Sequence, residues 1–389
     1  DPDLLPSRPL GGSATAFVDA VEEGRALARS LAAEEKLPGL SLAVALEGGI
    51  VWAEGFGWAE LDSRTPVTPA TLFRIGGVSE SLTSAAVGLL SDRGRLDLDA
   101  PVGRYLPDLP GATRVVTTRQ AMAHAAGIRS YRGEEEIFRR IGCADDSERL
   151  AIFAGDRLRF PPGSARRYSP YGWVLVGAVV AAVAGESYVD FVRREILVPL
   201  GMESTMPEVA GASTSESAHP YYPRLMLDPR WGLQDAPAVD LSCILPAGGF
   251  LSTPSDLVRF GSAMTAGGLL EPATLEELET PVRTDAGSSS DSSVPSGEQA
   301  LGWSVRRVPL GPDGNLSRIV GRGLEAPVRR SLLSATTVGG QVPGATTSLL
   351  LVPEHGIVIA VASNVSGAET VSSLALGLAE IFVRRPGAG

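Results

Sequence analysis

The sequence predicts an α+β fold, in which a sheet is flanked by helices and carries an inserted helical subdomain. β-rich runs come from both ends of the chain, whereas helical periodicity fills its middle. Strands from both termini pack most economically in one layer, with the intervening helices inserted against it. We therefore expect a single unit over 1–389, with an α/β part from 14–75 and 300–385 and a mainly helical insert over 76–299.

The prediction of the N-terminal elements depends on hydrophobic periodicity and turn residues. Residues 17–33 are amphipathic and stop before a Pro-Gly pair, which predicts a helix. Residues 40–46 and 50–56 are β-rich and are joined by Glu-Gly-Gly, a pattern typical of a hairpin. Leucine and alanine recur on one helical face of residues 79–93, so a second helix is predicted there.

The later elements follow the same rules. Residues 171–184 and 188–197 read as two helices separated by Gly-Glu. The Ser- and Asp-rich stretch Thr284–Gly297 predicts a mobile surface loop. Three β-rich segments and a closing helix are predicted beyond it, at 302–307, 346–352, 356–362 and 369–383.

Composition excludes several function classes. The net charge of −11 argues against nucleic acid or an anionic membrane as the main partner. The longest apolar run, Trp173–Ala184, is too short to span a bilayer, so no transmembrane segment is expected. The chain opens with Asp1 rather than Met, which is compatible with removal of an upstream segment. A cytoplasmic location is slightly favoured, and the oligomeric state is left open.

Cysteine and histidine are sparse. Cys143 and Cys243 do not form a disulfide framework and are interpreted as buried small hydrophobic residues. His124, His219 and His355 have no paired spacing, so neither a metal site nor another cofactor is expected.

The most informative segment runs from Phe73 to Thr83 and reads F-R-I-G-G-V-S-E-S-L-T. It closely resembles the active-site junction of the serine β-lactamase and penicillin-binding-protein superfamily, which reads F-R-I-G-S-x-S-K-S. In that family a serine and a lysine three residues apart share one helical face, and the lysine helps remove the serine proton. Here the matching positions are Gly77 and Glu80.

The resemblance continues over residues 14–385 and is most similar to the class C β-lactamase, esterase and mitochondrial β-lactamase-like branch. Further matches lie in ordered blocks, among them R-L-D-L-D-A-P-V from Arg95, T-T-R from Thr117 with H-A-A-G from His124, and F-P-P-G from Phe160 with Tyr168-Ser169. The resemblance implies a β-lactamase/transpeptidase-like fold with an antiparallel sheet and a helical insert that borders the cleft.

Three family motifs are degraded together. Besides the lost serine and lysine, the asparagine two residues after Tyr168 is Pro170. The Lys/His-Thr-Gly motif becomes Thr337-Val338-Gly339, which removes the group that holds a substrate carboxylate in the family. The lone lysine, Lys36, is distant in sequence from position 77. Lysine-assisted serine acylation is therefore not expected, and a role in β-lactam resistance is disfavoured.

The resemblance also implies what remains in the pocket. The family's oxyanion hole uses backbone N–H groups, here those of Gly77 and Gly340, and these donors survive a change of side chain. Glu80 would lie where the lysine lay, close to Tyr168, and a carboxylate in a partly apolar pocket can act as a general base. Glu80 and Tyr168 are therefore the candidate acid/base pair. Alternatively, Glu80 fills a vacated polar hole and bonds Tyr168 for structural reasons only.

The argument for a functional role is weaker for several other polar and aromatic residues. Ser79 or Ser81 could replace the nucleophile, although a serine needs a base within hydrogen-bond distance. His124 is interpreted as a partly buried structural histidine bonded to backbone. The aromatic residues between Met202 and Gly248, which include Tyr222, could line an apolar site or belong to the core, and so could the nearby Met226. The candidate substrate-binding residues are Ser79, Thr337, Tyr221 and Trp231.

Three functions remain open on the sequence. The first is a repurposed non-covalent enzyme, of cyclase, isomerase or lyase type, that acts on a carbonyl-containing small molecule. The second is a catalytically silent pseudoenzyme that binds a ligand or a protein partner. The third is a residual serine esterase with an unorthodox nucleophile.

Overall fold

The computed structural model describes residues 5–9, 17–209, 216–225, 227–285, 298–309 and 332–384. Most of the predicted loop Thr284–Gly297 and the residue Met226 lie outside the described residues. The described strands are, in chain order, β1 (Ser7–Pro9), β2 (Gly39–Leu46), β3 (Gly49–Glu60), β4 (Thr65–Pro66), β5 (Phe73–Arg74), β6 (Met206–Pro207), β7 (Tyr221–Pro223), β8 (Leu233–Asp235), β9 (Phe250–Ser252), β10 (Glu298–Gln299), β11 (Ser304–Pro309), β12 (Leu332–Val342), β13 (Ala345–Val352) and β14 (Ile357–Ser363).

The helices begin and end close to the predicted positions. They are α1 (Val18–Glu34), α2 (Val78–Asp92), α3 (Thr118–Met122), α4 (Glu134–Ile137), α5 (Asp146–Ala151), α6 (Pro170–Ala184), α7 (Tyr188–Val192), α8 (Leu245–Gly248), α9 (Pro254–Thr265), α10 (Pro272–Glu279) and α11 (Thr370–Val383). Helix α7 continues into a single π-helical segment, Arg193–Leu197. The predicted helices at both termini and at 79–93 are thereby confirmed.

One antiparallel sheet forms the framework. Its strands neighbour one another in the order β1, β3, β2, β14, β13, β12, β11, β10, and β4 pairs with β3. Strands from both ends of the chain are therefore adjacent at its centre, where β2 pairs with β14. The predicted α+β fold with an antiparallel sheet is confirmed.

The two faces of this sheet carry separate apolar cores. Alternate residues of β13 point to opposite faces, as the two-residue period of a strand requires. Leu350 and Val352 belong to the core that α1 and α11 cover. Leu349 and Leu351 belong to the larger core shared with α2, α6 and α9. The middle of the chain supplies that second core and does not fold apart from the sheet, since α9 packs on β2, β13 and β14.

A disulfide corrects one prediction. Cys143 and Cys243 are bonded to each other, with a Cα–Cα distance of 4.8 Å and 100 residues of chain between them. The bond joins the segment before α5 to the turn before α8, and the Ser242 hydroxyl accepts the backbone N–H of Cys143 at 2.9 Å. Sequence spacing alone could not show that two cysteines so far apart along the chain meet in the folded protein.

The described part of the chain bears on membrane and metal binding. There, no single helix is both long and apolar enough to cross a bilayer. The helices Pro170–Ala184 and Tyr188–Leu197 reach such a length and composition only when taken together, and the chain bends by 78° between them. Within the same residues, His, Cys, Asp and Glu side chains form no group of three or more that could hold a metal ion.

Candidate active site

The start of α2 is held by a half-buried ion pair. Arg74 makes a fork of hydrogen bonds to the Glu208 carboxylate, at 2.7 to 3.0 Å, and also donates to the Pro343 carbonyl at 2.6 Å. Charge-assisted, bidentate contacts of this kind fix geometry as well as adding energy. They tie the junction before α2 to the turn that follows β12, so the two sides of the cleft share one anchor.

Backbone N–H groups at this junction differ in their partners. Val78, Ser79 and Glu80 donate to the carbonyls three residues earlier, at 2.9 to 3.1 Å. The N–H of Gly77, the N-cap residue, has no acceptor among the described residues. The first N–H groups of a helix lack intrahelical partners and favour negative charge. The Gly77 N–H is thus available to a ligand oxygen.

Glycines let β12 approach α2 with no side chain between them. A Cβ built on Gly77 would lie 2.7 Å from the Gly339 carbonyl oxygen, and one built on Gly340 would lie 1.8 Å from the Ile75 carbonyl oxygen. Both distances are shorter than the ordinary contact between non-bonded heavy atoms. Position 77 therefore lacks a nucleophile and also lacks the space for one.

Glu80 lies one helical turn beyond Gly77 and is 6% exposed. Its Oε1 accepts a hydrogen bond from the Tyr168 hydroxyl at 3.3 Å, and its Oε2 lies 3.8 Å from Nε2 of His124. Burial raises the pKa of Glu80 well above its ordinary value, against a smaller lowering by the Tyr168 hydrogen bond. Burial, with the nearby Glu80 carboxylate, also raises the pKa of Tyr168 well above its ordinary value, so the phenol stays protonated.

His124 is both structural and part of the site. Its Nδ1 accepts the backbone N–H of Ser169 at 3.3 Å, as the prediction of a backbone-bonded histidine requires. That bond leaves the ring proton on Nε2, which faces Glu80. Burial lowers the pKa of His124 to about 4, so the ring is neutral and its contact with Glu80 is not an ion pair. Its ring centroid lies 4.7 Å from that of Tyr168.

Pro170 has a structural role at the second degraded motif. It occupies the first position of α6, with Ser169 as the N-cap residue. Proline suits this position because its missing N–H would have no helical partner there. The substitution therefore removes an amide from the motif and suits the first turn of the helix that follows Tyr168.

These residues line a cleft of about 500 Å³ between α2 and the part of β12 that lies beyond its pairing with β11. Of the predicted site residues, the structure brings together Gly77, Glu80, Tyr168, Thr337 and Gly340. The cleft continues over Gly339 toward α11. Its lining also includes residues that the sequence interpretation did not select, namely His124, Gln299, Trp303, Ser304 and Arg306. Only the resemblance could have indicated His124, and nothing in the local sequence indicated the other four.

The remaining predicted residues lie elsewhere, which corrects their assignment. Ser79 is fully buried inside α2 and does not line the cleft. Tyr221 packs in the core beneath α1 and α11, and its hydroxyl accepts the N–H of Leu61 at 2.8 Å. Trp231 is 65% exposed on a surface turn. Ser81 donates to the Val78 carbonyl within α2 and is likewise buried.

No lysine reaches this cleft. Lys36, the single lysine of the chain, follows α1 and donates to the Arg230 carbonyl at the surface at 3.2 Å. The general base of serine acylation is therefore absent from the site as well as from the motif.

Comparison with known proteins identifies the family and the fold. The model of the Beta-lactamase family matches residues 24–380. The chain belongs to the Beta-lactamase family. Human "Serine beta-lactamase-like protein LACTB, mitochondrial" is 27% identical over 433 aligned positions, which cover 90% of this chain and 75% of that protein. Penicillin-binding protein 4* of Bacillus subtilis is 27% identical over 277 positions, which cover 68% of this chain and 59% of that protein.

Solved structures share the fold of this Beta-lactamase family member. The D-amino acid amidase of Ochrobactrum anthropi SV3, complexed with L-phenylalanine amide, superposes with a TM-score of 0.75 at 23% identity and covers 95% of this chain and 100% of that one. The octameric penicillin-binding protein homologue of Pyrococcus abyssi superposes with a TM-score of 0.73 at 24% identity, over 93% of this chain and 77% of that one. At such identities the likeness establishes the fold alone.

Proposed function

We propose that this Beta-lactamase family member is a non-covalent enzyme that moves protons on a carbonyl-containing small molecule. The observation that carries the proposal is the buried Glu80 carboxyl, which faces the same cleft as the Tyr168 phenol and the unpartnered Gly77 N–H. Titratable groups with strongly shifted pKa values in a cleft are markers of functional sites.

The chemistry follows from the groups present. The ionised Glu80 carboxylate takes a proton from the carbon next to the substrate carbonyl. The C–H electron pair becomes the C=C bond of an enolate, and the carbonyl oxygen takes up the negative charge. The Gly77 N–H donates to this oxygen, whereas the N–H of Gly340 faces Thr347 in the β12–β13 ladder. Return of a proton to carbon or oxygen by Glu80, now protonated, or by the Tyr168 phenol completes an isomerisation. In a cyclisation the enolate carbon instead attacks a second carbonyl of the substrate, and the returned proton goes to the new alkoxide. In an elimination the enolate expels a leaving group from the next carbon, and that group takes the proton.

His124 has a positioning role in this scheme. The neutral ring presents its Nε2–H toward Glu80 Oε2 at 3.8 Å, a distance that a small rotation of the carboxylate shortens to a hydrogen bond. Such a bond favours the ionised form of Glu80. The histidine thereby opposes the burial that otherwise keeps the carboxyl protonated.

Hydrogen–deuterium exchange at carbon tests the proposal without knowledge of the substrate. Enolisation in D₂O replaces the protons next to a carbonyl, and NMR detects their loss from simple ketones such as phenylacetone, cyclohexanone and levulinate. We expect the protein to accelerate exchange of at least one ketone. Glu80→Gln should reduce the acceleration by roughly 10²–10⁴-fold, as for loss of a general base. The exposed Glu135 supplies the matched control, Glu135→Gln, which should leave the rate unchanged.

The other two functions are outcomes of the same experiment. Ligand binding without exchange of any ketone would contradict the proposal and leave a silent, ligand-binding pseudoenzyme. Turnover that a fluorophosphonate blocks covalently would instead indicate a serine esterase. The burial of Ser79 and Ser81 gives that third function no support.

A further inference from the structure

The β7–β8 hairpin carries large apolar side chains that are exposed to solvent. Its two strands pair over three residues each, and the described residues between them, 224–225 and 227–232, belong to the connecting loop. Within this loop Leu225 is 55% exposed, Leu227 51% and Trp231 65%. We call these three side chains the hairpin tip. Single exposed apolar residues are ordinary, whereas several of them in one loop indicate an interaction surface.

One residue of the hairpin tip has a strained backbone. Leu227 has a φ of +53°, in the left-handed region that a bulky side chain rarely adopts. Its carbonyl oxygen lies against Gly367, where a Cβ would come within 2.4 Å of it, so the loop is packed on the segment before α11. The fold thus holds an exposed leucine where asparagine or glycine would be less strained. Strain that the surroundings impose in this way clusters at functional sites.

Hydrogen bonds hold the loop in one shape. The Asp228 N–H donates to the Leu225 carbonyl at 3.1 Å, and the Trp231 N–H donates to the Asp228 carbonyl at 3.2 Å. The Arg230 guanidinium forks onto the Asp228 carboxylate at 2.8 to 3.1 Å. Lys36 Nζ, at the end of α1, donates to the Arg230 carbonyl at 3.2 Å. Because the loop is already folded, little of its conformational entropy would be lost on binding.

Two cations without a carboxylate partner flank the hairpin tip. Arg224 and Lys36 are exposed and donate to backbone carbonyls, at 2.8 and 3.2 Å, and neither forms an ion pair within the described part of the chain. The Arg230 charge, in contrast, is balanced by Asp228 and, at 3.6 Å, by Glu35. Long cationic side chains can extend away from an apolar surface and place their charge beside phosphate groups.

Leucine, tryptophan and flanking cations together match the boundary layer of a lipid bilayer. Tryptophan is enriched there because its ring is apolar and its N–H is polar, and lysine and arginine reach from that layer toward the headgroups. A stable protein interface buries about 800 Å² on each partner, which is more than three partly exposed side chains supply. The net charge of −11 opposes a strongly anionic surface, so zwitterionic headgroups are the better match.

We propose that the hairpin tip docks the protein onto a zwitterionic lipid surface. Leu225, Leu227 and Trp231 would enter the upper part of the acyl layer, and Arg224 and Lys36 would lie at the level of the lipid phosphates. The contact is peripheral and concerns the outer surface of the protein. It goes beyond the proposed enzymatic function and does not depend on it.

Trp231 provides a direct signal for this contact. Three of the other four tryptophans, Trp52, Trp173 and Trp303, are buried, and Trp58 is half-buried. Brominated phosphatidylcholine should therefore quench mainly Trp231. The probes are vesicles of phosphatidylcholine alone and of an equal mixture with phosphatidylglycerol. We expect the wild type to bind the phosphatidylcholine vesicles, with quenching, and to bind the mixture no more tightly.

Substitutions of exposed residues separate the hairpin tip from the rest of the surface. Trp231→Ser and Leu225→Ser should each lower the vesicle affinity, measured by flotation, by roughly tenfold or more, since each withholds apolar surface from the bilayer. Val198→Ser is the matched control, because Val198 is 66% exposed outside the loop, and it should bind as the wild type does. Arg224→Glu should also weaken binding, whereas Arg157→Glu, another change at an exposed arginine, should not.

Leu227→Asn tests the strain separately. Asparagine tolerates a positive φ, and the leucine side chain is exposed, so the variant should melt at a higher temperature than the wild type. It should nevertheless bind vesicles more weakly. A lower melting temperature would contradict the inference that the fold holds Leu227 under strain, and unchanged vesicle binding would remove Leu227 from the docking surface.

Three results would overturn the proposal. The first is failure of the wild type to bind phosphatidylcholine vesicles at ~1 mM lipid. The second is equal binding by the wild type and Trp231→Ser, and the third is tighter binding to the anionic mixture. An oligomer in sedimentation velocity that Trp231→Ser dissociates, without vesicle binding, would instead make the hairpin tip a contact between copies of this chain. Ketone exchange by Trp231→Ser should match that of the wild type, so the docking surface and the enzymatic function are tested independently.

Discussion

The carbonyl oxygen of Gly339 lies against Gly77, 2.7 Å from the point where a side chain at position 77 would begin. In the family pattern that position carries the nucleophilic serine. The backbone of β12 thus occupies the space that a side chain at position 77 would need.

The glycine contact predicts a steric effect at position 77. Gly77 has an ordinary helical conformation, with φ −57° and ψ −13°, so alanine is disfavoured there only by contact with Gly339. We expect Gly77→Ala to lower the free energy of unfolding by about 1–3 kcal/mol, the range for overpacking. Gly340→Ala should cost more, since its Cβ would meet the Ile75 carbonyl. Urea titration measures both.

Gly339→Ala is the matched control, because a Cβ at that position would have no neighbour within 4 Å. It should leave stability nearly unchanged. If Gly77→Ala and Gly339→Ala were equally stable, the close contact between β12 and α2 would be absent in solution. We further expect Gly77→Ser to remain unlabelled by a fluorophosphonate, since neither a lysine nor room for the serine is present.

The buried carboxyl predicts a stability that declines as pH rises. The pKa of Glu80 is higher in the folded protein than its ordinary value, so the folded state holds the proton over a pH range in which the unfolded state releases it. Unfolding is therefore favoured progressively from about pH 4.3, the ordinary glutamate value, up to the raised pKa. Glu80→Gln should remove this decline.

The measurement is the urea midpoint of wild type and Glu80→Gln at several pH values. The difference in stability should grow in favour of the variant toward high pH, whereas Glu135→Gln should follow the wild type. A constant difference at every pH would show that Glu80 does not hold its proton more tightly in the folded state.

His124 predicts the opposite slope in a lower window. Its pKa falls from 6.5 to about 4 on folding, so between these values the unfolded state binds a proton that the folded state does not. Stability therefore rises with pH across this window, by up to about 3 kcal/mol for a shift of this size. His124→Asn should flatten that slope. Asparagine tolerates the positive φ of 56° and can accept the Ser169 N–H.

His355, in the turn before β14, gives the control His355→Asn, which should keep the wild-type slope. Acid unfolding followed by circular dichroism measures all three proteins. An unchanged slope in His124→Asn would mean that the ring takes up its proton in the folded protein.

The disulfide predicts a stability that depends on redox conditions. Closing about 100 residues removes entropy from the unfolded chain worth about 4.7 kcal/mol in the chain-entropy model. Reduction, or the double substitution Cys143→Ser and Cys243→Ser, should lower the free energy of unfolding by roughly 3–5 kcal/mol. Urea unfolding with and without a reductant measures the loss. A reductant that also destabilised the double variant would contradict this origin.

Much of the fold could be predicted because its elements have strong local patterns. Helix α2 and the β2–β3 hairpin follow from periodicity and turn residues, and both are confirmed. Strand β12 was missed, since its Thr337–Gly340 stretch has two glycines and its extended conformation depends on pairing with β11 and β13. The pairing of Cys143 with Cys243 depends in the same way on contacts between distant segments.

The site was only partly predictable, for a related reason. Gly77, Glu80 and Tyr168 lie in motifs whose order along the chain indicated a common cleft, and the structure places all three there. Whether an aromatic side chain faces that cleft depends on strand register and packing. Tyr221 therefore proved to be core and Trp231 surface.

The isolation of Lys36 has a practical consequence. It is the single side-chain amine of the protein, and it lies at the exposed end of α1 beside the Arg230 carbonyl. Helix α1 covers the face of the sheet opposite α2 and Glu80. An amine-reactive dye would therefore attach to side chains at one defined point and leave the cleft unmodified.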